Sequence, residues 1–510
     1  MNENLGSNKR IAKNTLFLYC RTLVVMLISL YTSRVVLREL GVEDYGIYNV
    51  VGGIVTMFSF MTATLSTAAQ RYLAYELPKN NERRLKETFS LIVLSFGIIL
   101  VFTFILSEFL GVWFLNTHMN IPSGRMLAAN WVLQASIITF ILNILTAPYL
   151  AVIIAHEQMT VYAYISIIDA ILKLSVAYLL QVILYDKMVV YAVLMVLCTL
   201  LITYTLRLYC KKHFTESHYV FFYDANRLKV ITAFAWWNTL GALANTLRGQ
   251  GINILLNLFF NPVINAARAI SYQVGGALNL FAINFYTAIR SQIIANYSVG
   301  DTKRMHSLII NGSRFTSLLL TVLIVPLILN TEYILGLWLV NIPDYSIIFV
   351  RLVLVCTLIE APLGPLLTGI QATGRMKEYN LIVSTIYLLN IPISYVMLKI
   401  GCSPESTFYV TIILIVIAII PKLLLCQKFY ELSIAKYIWE VIIWCSLIGF
   451  VCWSLGILIQ MVFEAYNMAH EAILIVISLL ESIMIVLSIG LKSNERKLLY
   501  NKIISYERFH

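Results

Sequence analysis

The sequence predicts an all-α integral membrane protein of about fourteen transmembrane helices, on three observations. Hydrophobic residues make up 60% of the 510-residue chain and charged residues 12%. Soluble domains sit near about 45–50% and about 25%. Apolar runs of about 20 residues recur from end to end, each long enough to cross a hydrocarbon core of ~30 Å. In lipid the backbone of such a run satisfies its polar groups as a helix. Finally, the polar loops between runs alternate in basic content, as the loops of a multi-pass protein do.

The first six spans are predicted at 14–37, 46–69, 88–115, 127–155, 160–184 and 188–209. A polar loop follows, then six more at 230–258, 266–297, 307–329, 347–371, 379–400 and 406–426, and a final pair at 438–462 and 470–491. The start, Met1 to Arg10, is polar and no small-residue cleavage site follows the first run, so that run reads as a retained helix rather than a signal peptide. Counting Arg207, Arg351, Lys399 and Lys422, near span ends, with the loops they adjoin, 25 of the 37 Lys and Arg residues fall on one side and 5 (Arg38, Arg125, Lys187, Arg351, Lys399) on the other, with 7 inside spans. Positive loops stay cytoplasmic, which places both termini there. The formal net charge of +11 therefore reads as loops facing anionic membrane lipids, and no nucleic-acid partner is expected.

An internal repeat divides the chain. Pro148, Met159 and Tyr162 recur at one constant spacing as Pro365, Met376 and Tyr379. Val51-Gly52-Gly53 is echoed by Val274-Gly275-Gly276, and Arg83-Arg84 by Lys303-Arg304. The expected domains are a six-helix bundle over 1–215, a second over 216–430, and two extra helices with a basic tail over 431–510. Two halves in the same orientation are related by an axis along the membrane normal and enclose a substrate path.

Polar residues mark the helix faces that would line such a path. The second span carries Asn49, Gly52, Thr56, Ser59, Ser66 and Gln70 at spacings of three and four, one stripe of a helix. The seventh carries Asn238, Gly241, Asn245, Arg248, Asn253 and Asn257, and the eighth Arg268, Tyr272, Gly275, Asn279, Tyr286 and Arg290. Small and polar stripes also serve as plain helix-packing glue, so composition leaves both readings open.

Charges within spans are the sharper signal, because each costs at least ~2.5–3.5 kcal/mol to insert. Arg21, Arg34, Lys173, Arg248, Arg268, Arg290 and Arg314 stand against Asp169, Glu360 and Glu108, so an anionic ligand is expected to complete the balance. Arginine suits phosphate, whose oxygens its donor fork meets two at a time. Arg34 and Arg314 lie near span ends, where long side chains snorkel to the interface, and Arg290 admits the same reading. Arg21, Arg248 and Arg268, with Arg290, Asn49, Asn245 and Asn279, are the expected substrate-cavity residues. Asp169 and Lys173 are four apart and expected to pair; with Glu360, which precedes Ala361-Pro362, they are the candidates for ion coupling.

No catalytic motif appears: no Walker A sequence, no HExxH and no G-x-S-x-G, so no enzyme is expected. The eight cysteines form no CxxC pair and several sit in apolar runs, so neither a metal nor another cofactor is expected.

The residues Ser33 to Tyr48, SRVVLRELGVEDYGIY, and the later stretches LLNLFFNPVINAARAISYQVGG and IIANYSVGD resemble bacterial polysaccharide and O-antigen flippases of the multidrug/oligosaccharidyl-lipid/polysaccharide flippase superfamily. With the helix count and the repeat, the resemblance spans essentially the whole chain. It implies two bundles forming a V that alternates access, an inner-membrane location, and a cargo of undecaprenyl-diphosphate-linked oligosaccharide such as an O-antigen or capsule repeat unit. It also implies coupling to H+ or Na+ and a glycan polymerase as partner. Related lipid II flippases carry arginines in a central cavity, which the resemblance maps onto Arg21 and Arg268, and have two extra C-terminal helices. Multidrug extruders of the superfamily place an acidic residue in the first helix, where this chain has Arg21 and no Asp or Glu between Lys13 and Arg38. A cation-coupled multidrug antiporter using Glu360 or Asp169, a lipid II flippase, and an assembly role within a glycan-synthesis complex are the alternatives.

Overall fold

The computed structural model describes residues 2–79, 81–225, 227, 239–463, 468–493 and 495–496. Lys229, Asn238, Lys497, Lys502 and Arg508 lie outside the described residues. Among those described there is no strand; the fold is an all-α membrane architecture. Among the described residues ten helices are long and apolar enough to cross a membrane, or eleven when one bent pair counts as a single span.

The helices of the first half are α1 (Asn2–Thr56), α2 (Ser59–Glu76), α3 (Glu82–Thr117), α4 (Met126–Ala155), α5 (Met159–Leu179) and α6 (Lys187–His213). Those of the second are α7 (Ile252–Phe259), α8 (Pro262–Ser298), α9 (Thr302–Leu329), α10 (Ser346–Glu360), α11 (Met376–Leu388) and α12 (Ser406–Tyr430). The pair α13 (Trp444–Val462) and α14 (Met468–Ile485) follows. α8 is long enough to span, but its asparagines and arginines leave it outside the apolar set. Caps fix several starts: Asn81 accepts from Arg84 N, Asp186 from Met188 N and Val189 N, and Asp301 from Arg304 N.

The structure differs from the sequence reading near the start of the chain. α1 runs through both the first predicted span and the front of the second, and its turn is made by Gly41 alone, at φ 80° and ψ 169°. Positive φ is a conformation that glycine adopts without steric cost. Gly41 falls between the two predicted spans, and a second break comes at Met57-Phe58, inside the second of them, where α1 and α2 bend by 52°. Thr56 Oγ1 donates to the Gly53 carbonyl at 3.2 Å beside this break. The repeat has a structural counterpart, since Met159 opens α5 and Met376 opens α11.

Two compact units result. The first contains Met1–Ala269, Trp338–Tyr345 and Asn380–Thr407; the second contains Ile270–Leu337, Ser346–Tyr379 and Phe408–His510. In the first, the Trp338 indole donates to the Leu30 carbonyl at 2.8 Å, and Tyr395 meets Phe259 edge-on with centroids 5.6 Å apart. These contacts tie the two later segments to α1 and α7. In the second, α9 is the central element, packed by α10, α13 and α14, with Leu318, Val325, Cys445, Ile448 and Cys452 buried between them.

Candidate functional site

The first unit holds a cavity of about 260 Å³ between α1, α4 and α6. Asn49, Gly52, Gly53 and Thr56 reach it from α1, Ser136, Thr139 and Asn143 from α4, and Gln250 from a π turn, Leu247–Gly251, that precedes α7. Its lining carries hydroxyls and carboxamides, with Tyr48 and Phe140 as aromatic walls and no carboxylate or cation. Such groups both donate and accept, as a carbohydrate's hydroxyls do. Asn49 was expected here. Ser136, Thr139, Asn143 and Gln250 were not, although the first three repeat at spacings of three and four along an otherwise apolar helix, the same signal that marked Asn49.

Arg21 sits apart from this cavity's lining, against α5. Its Nη2 donates to the Tyr162 hydroxyl at 3.1 Å and to Ser166 Oγ at 3.0 Å, and its guanidinium lies 4.4 Å from the Tyr162 ring centroid. Its Nε is buried with no hydrogen-bond partner. The pair expected along the same helix is formed, with Lys173 Nζ 2.7 Å from Asp169 Oδ2. Asp169 is thus matched by Lys173, and Arg21 is held by neutral groups.

Arg248 lies within the π turn and Arg268 bonds to it. Arg248 stacks its guanidinium 4.6 Å from the Tyr387 centroid, while Arg268, only 4% exposed, donates to the Gly249 carbonyl at 3.3 Å. A π turn shifts the backbone bonds to i→i+5, and such turns concentrate at functional sites. Asn245 is exposed and donates back to the Gly241 carbonyl at 3.1 Å. Asn253 and Asn257 of this stripe are packing glue. Asn265 Nδ2 bonds the Asn253 carbonyl and side chain at 2.6 and 2.9 Å, Asn257 Nδ2 reaches Asn265 at 3.2 Å, and Asn120 N donates to Asn257 at 3.0 Å. Asn257 and Asn265 are fully buried.

The second unit holds the remaining candidates. Asn279 and Arg290 are exposed on α8, and Glu360 is the last residue of α10, half-buried before a 3-10 turn at Ala361–Leu363. Arg314, read as a snorkelling residue, is instead 1% exposed and paired with Glu495, beyond α14. The count of acidic residues within spans also needs correcting upward, because Glu440, Glu471 and Glu481 fall inside the last two. Glu440 is matched by Lys492 at 2.6 Å.

A cluster that sequence reasoning missed joins three elements of the first unit. Arg125, before α4, donates through Nε to Asp44 at 2.8 Å and through Nη1 to Asp186 at 2.6 Å. Lys187 Nζ meets Glu39 at 2.8 Å beside it. Burial acts to raise the Asp186 carboxyl, but the Arg125 hydrogen bonds, the amides of Val189 and Met188 and the Arg125 charge outweigh it, and the group lies below its ordinary value. The positive end of the α6 helix dipole acts in the same sense.

No family model and no curated protein matches the chain. Solved structures do. A structure described as "Lipid II flippase MurJ, inward closed conformation" aligns with a TM-score of 0.70 at 13% identity, covering 96% of this chain and 99% of that one. The multidrug transporter DinF-BH of the MATE family, in complex with R6G, aligns at 0.64 with 14% identity over 83% and 96%. An inward-facing MATE family transporter of the MOP superfamily aligns at 0.63 with 11% identity over 80% and 96%. The chain therefore shares the fold of these transporters.

Proposed function

We propose that this chain is a flippase that carries undecaprenyl-diphosphate-linked oligosaccharide, an O-antigen or capsule repeat unit, from the cytoplasmic to the periplasmic leaflet. The observation that carries the reading is Arg21. Its guanidinium is held within a membrane helix by Tyr162 and Ser166, with no carboxylate partner among the described residues, so its charge is left for an anionic group. A diphosphate supplies that charge in a form the guanidinium fork matches. The hydroxyl- and amide-lined cavity of the same unit suits the uncharged sugars of such a cargo.

In this reading the bundles 1–215 and 216–430 rock about the cargo by alternating access, and the helices of 431–510 are an accessory pair. Arg248, Arg290, Arg268, Asn49, Asn245 and Asn279 line the path. Asp169 with Lys173, or Glu360, takes the coupling H+ or Na+. The chain works in the bacterial inner membrane with both termini cytoplasmic, beside a glycan polymerase. A lipid II cargo is the second reading, favoured by the nearly full-length likeness to a lipid II flippase.

The deciding experiment measures lipid-linked glycan and surface polysaccharide in cells deleted for this chain. Loss of surface polysaccharide with accumulation of cytoplasmic-face diphosphate-linked glycan is the expected result. Unchanged glycans with accumulated lipid II select the second reading. Unchanged glycans and lipid II, with sensitivity to cationic dyes, select a multidrug antiporter.

A further inference from the structure

Within the second unit, α14 turns toward α13 a half-buried carboxyl that no cation among the described residues answers. Glu481 of α14 has one oxygen, Oε1, buried and without a hydrogen-bond partner. The other accepts at the limit of a hydrogen bond, 3.5 Å, from Ser482 Oγ, and lies 3.9 Å from where a Cβ on Gly456 of α13 would stand. One turn along α14, Ser478 begins a neutral polar deck. Asn330, the cap of α9, donates to Ser478 Oγ at 3.3 Å and accepts from Gln460 Nε2 of α13 at 3.1 Å.

The groups that face Glu481 can be taken element by element. α14 offers Ser478 and Ser482, 2% and 0% exposed. α13 offers Cys452, Gly456 and Gln460, of which only the Cys452 thiol titrates. α9 offers Leu329 and Asn330. The charged and titratable residues of these elements lie elsewhere: Lys303, Arg304 and His306 stand at the start of α9, Arg314, sixteen positions before Asn330, is engaged by Glu495, Glu332 is exposed beyond the α9 end, and His470 and Glu471 stand at the start of α14. Among the described residues no Lys, Arg or His lies within ion-pair distance of Glu481.

A bare carboxylate is disfavoured against its neutral acid at this oxygen, because burial removes the water that stabilises charge and no partner replaces it. A metal cation would need several oxygens around it, and hard cations take six or so. Here the one polar group that meets a Glu481 oxygen is the Ser482 hydroxyl. A proton needs a single oxygen.

We propose that Glu481 is a proton-binding site, neutral at physiological pH while α9, α13 and α14 are packed. It releases its proton when water reaches the carboxyl between them. The accessory helices then carry a proton-linked conformational element separate from Asp169, Lys173 and Glu360.

The test is infrared difference spectroscopy on the full chain in lipid nanodiscs at neutral pH, wild type minus Glu481→Gln, in potassium chloride and again in sodium chloride. The expected result is a carboxylic-acid carbonyl band in wild type that moves on deuteration, is absent in the variant and is the same in both salts. A carboxylate band in its place means that the group is charged and overturns the proposal. A carboxylic-acid band that disappears in sodium assigns the site to a metal cation and overturns it equally. Glutamine is the isostere of the neutral acid, so the variant is also expected to melt no earlier than wild type. If Glu481→Gln fails to fold, a neutral Glu481 is contradicted directly.

Discussion

Arg21 of α1 and Tyr162 of α5 are joined twice, by a 3.1 Å hydrogen bond to the phenol oxygen and by the guanidinium lying 4.4 Å from the ring centroid. The two contacts fix the plane of the guanidinium as well as its position. A lysine retains the charge but not the fork or the stacking. Arg21→Ala is therefore expected to abolish surface glycan, Arg21→Lys to lower it roughly tenfold, and Tyr162→Phe to lower it less, each with normal amounts of protein in the membrane. Surface polysaccharide blotting with a membrane-protein immunoblot reads all three. Full display in Arg21→Ala removes the residue from the transport path.

Gly46 of α1 faces the first residue of α8. A Cβ there would stand 1.9 Å from the Pro262 carbonyl oxygen and 2.6 Å from its carbon. Backbone atoms at that range cannot turn aside as a side chain does. Gly46→Ala is expected to cost several kcal/mol by forcing the helices apart, at the upper end of overpacking effects of about 1–3 kcal/mol or above. Gly97→Ala, with nothing within 4 Å of the added carbon, is the control and should melt at or above wild type. Equal melting of both variants in detergent would show that this contact is not made.

The sequence carried the helical class because lipid leaves the backbone few choices, and it carried the Asp169–Lys173 pair because residues four apart share a helix face. It also located Asn49 at the cavity through its stripe. The bond from Arg268 to Gly249 lay beyond its reach. That bond depends on a π turn at Leu247–Gly251, a local change of backbone pairing that leaves the side-chain pattern almost untouched. Arg314 was misread for a related reason. Position near a span end suggested exposure, while the partner, Glu495, comes from 181 residues further along the chain. Glu481, by contrast, was legible by the rule that marked Glu360 and Glu108, since it too is an acid inside an apolar run.

Within the Arg125 cluster, where burial raises Asp44, Asp186 carries a pH dependence of the opposite sign. The folded-state value of Asp186 is lowered, so its contribution is complete above the unfolded-state value and is lost as pH falls through the folded one. The Asp186→Asn variant is expected to melt earlier than wild type from neutral pH down to about pH 5, with the gap closing as pH falls below about 4. A gap that widens toward acid would contradict the sign.

The asparagine network between α7 and α8 is expected to matter for folding and not for cargo. Asn265 is fully buried and bonds both the carbonyl and the side chain of Asn253, while its own oxygen accepts from Asn257. Asn265→Ala removes these bonds and leaves the Asn257 donor without that acceptor, a loss of about 1–3 kcal/mol. The expected signature is a lower melting temperature in detergent with surface glycan reduced only in step with the amount of folded protein.

The cavity substitutions should behave in the opposite way. Thr139 and Asn143 reach the cavity from α4 as hydroxyl and amide, and neither is fully buried. Thr139→Leu and Asn143→Leu place apolar volume where a sugar's hydroxyls would bond, in a space of only about 260 Å³. Nothing in the surrounding helix packing is deleted, so melting should stay within about 0.5 kcal/mol of wild type on the stability scale of surface changes. Surface glycan should fall by about tenfold or more if the cargo's sugars lie here, since blocking even one or two neutral hydrogen bonds and their volume is worth about that factor. Loss of display at unchanged stability ties this cavity to the cargo. Unchanged display in the double variant places the sugars elsewhere and leaves the arginines Arg21, Arg248 and Arg268 as the cargo's contacts in this unit.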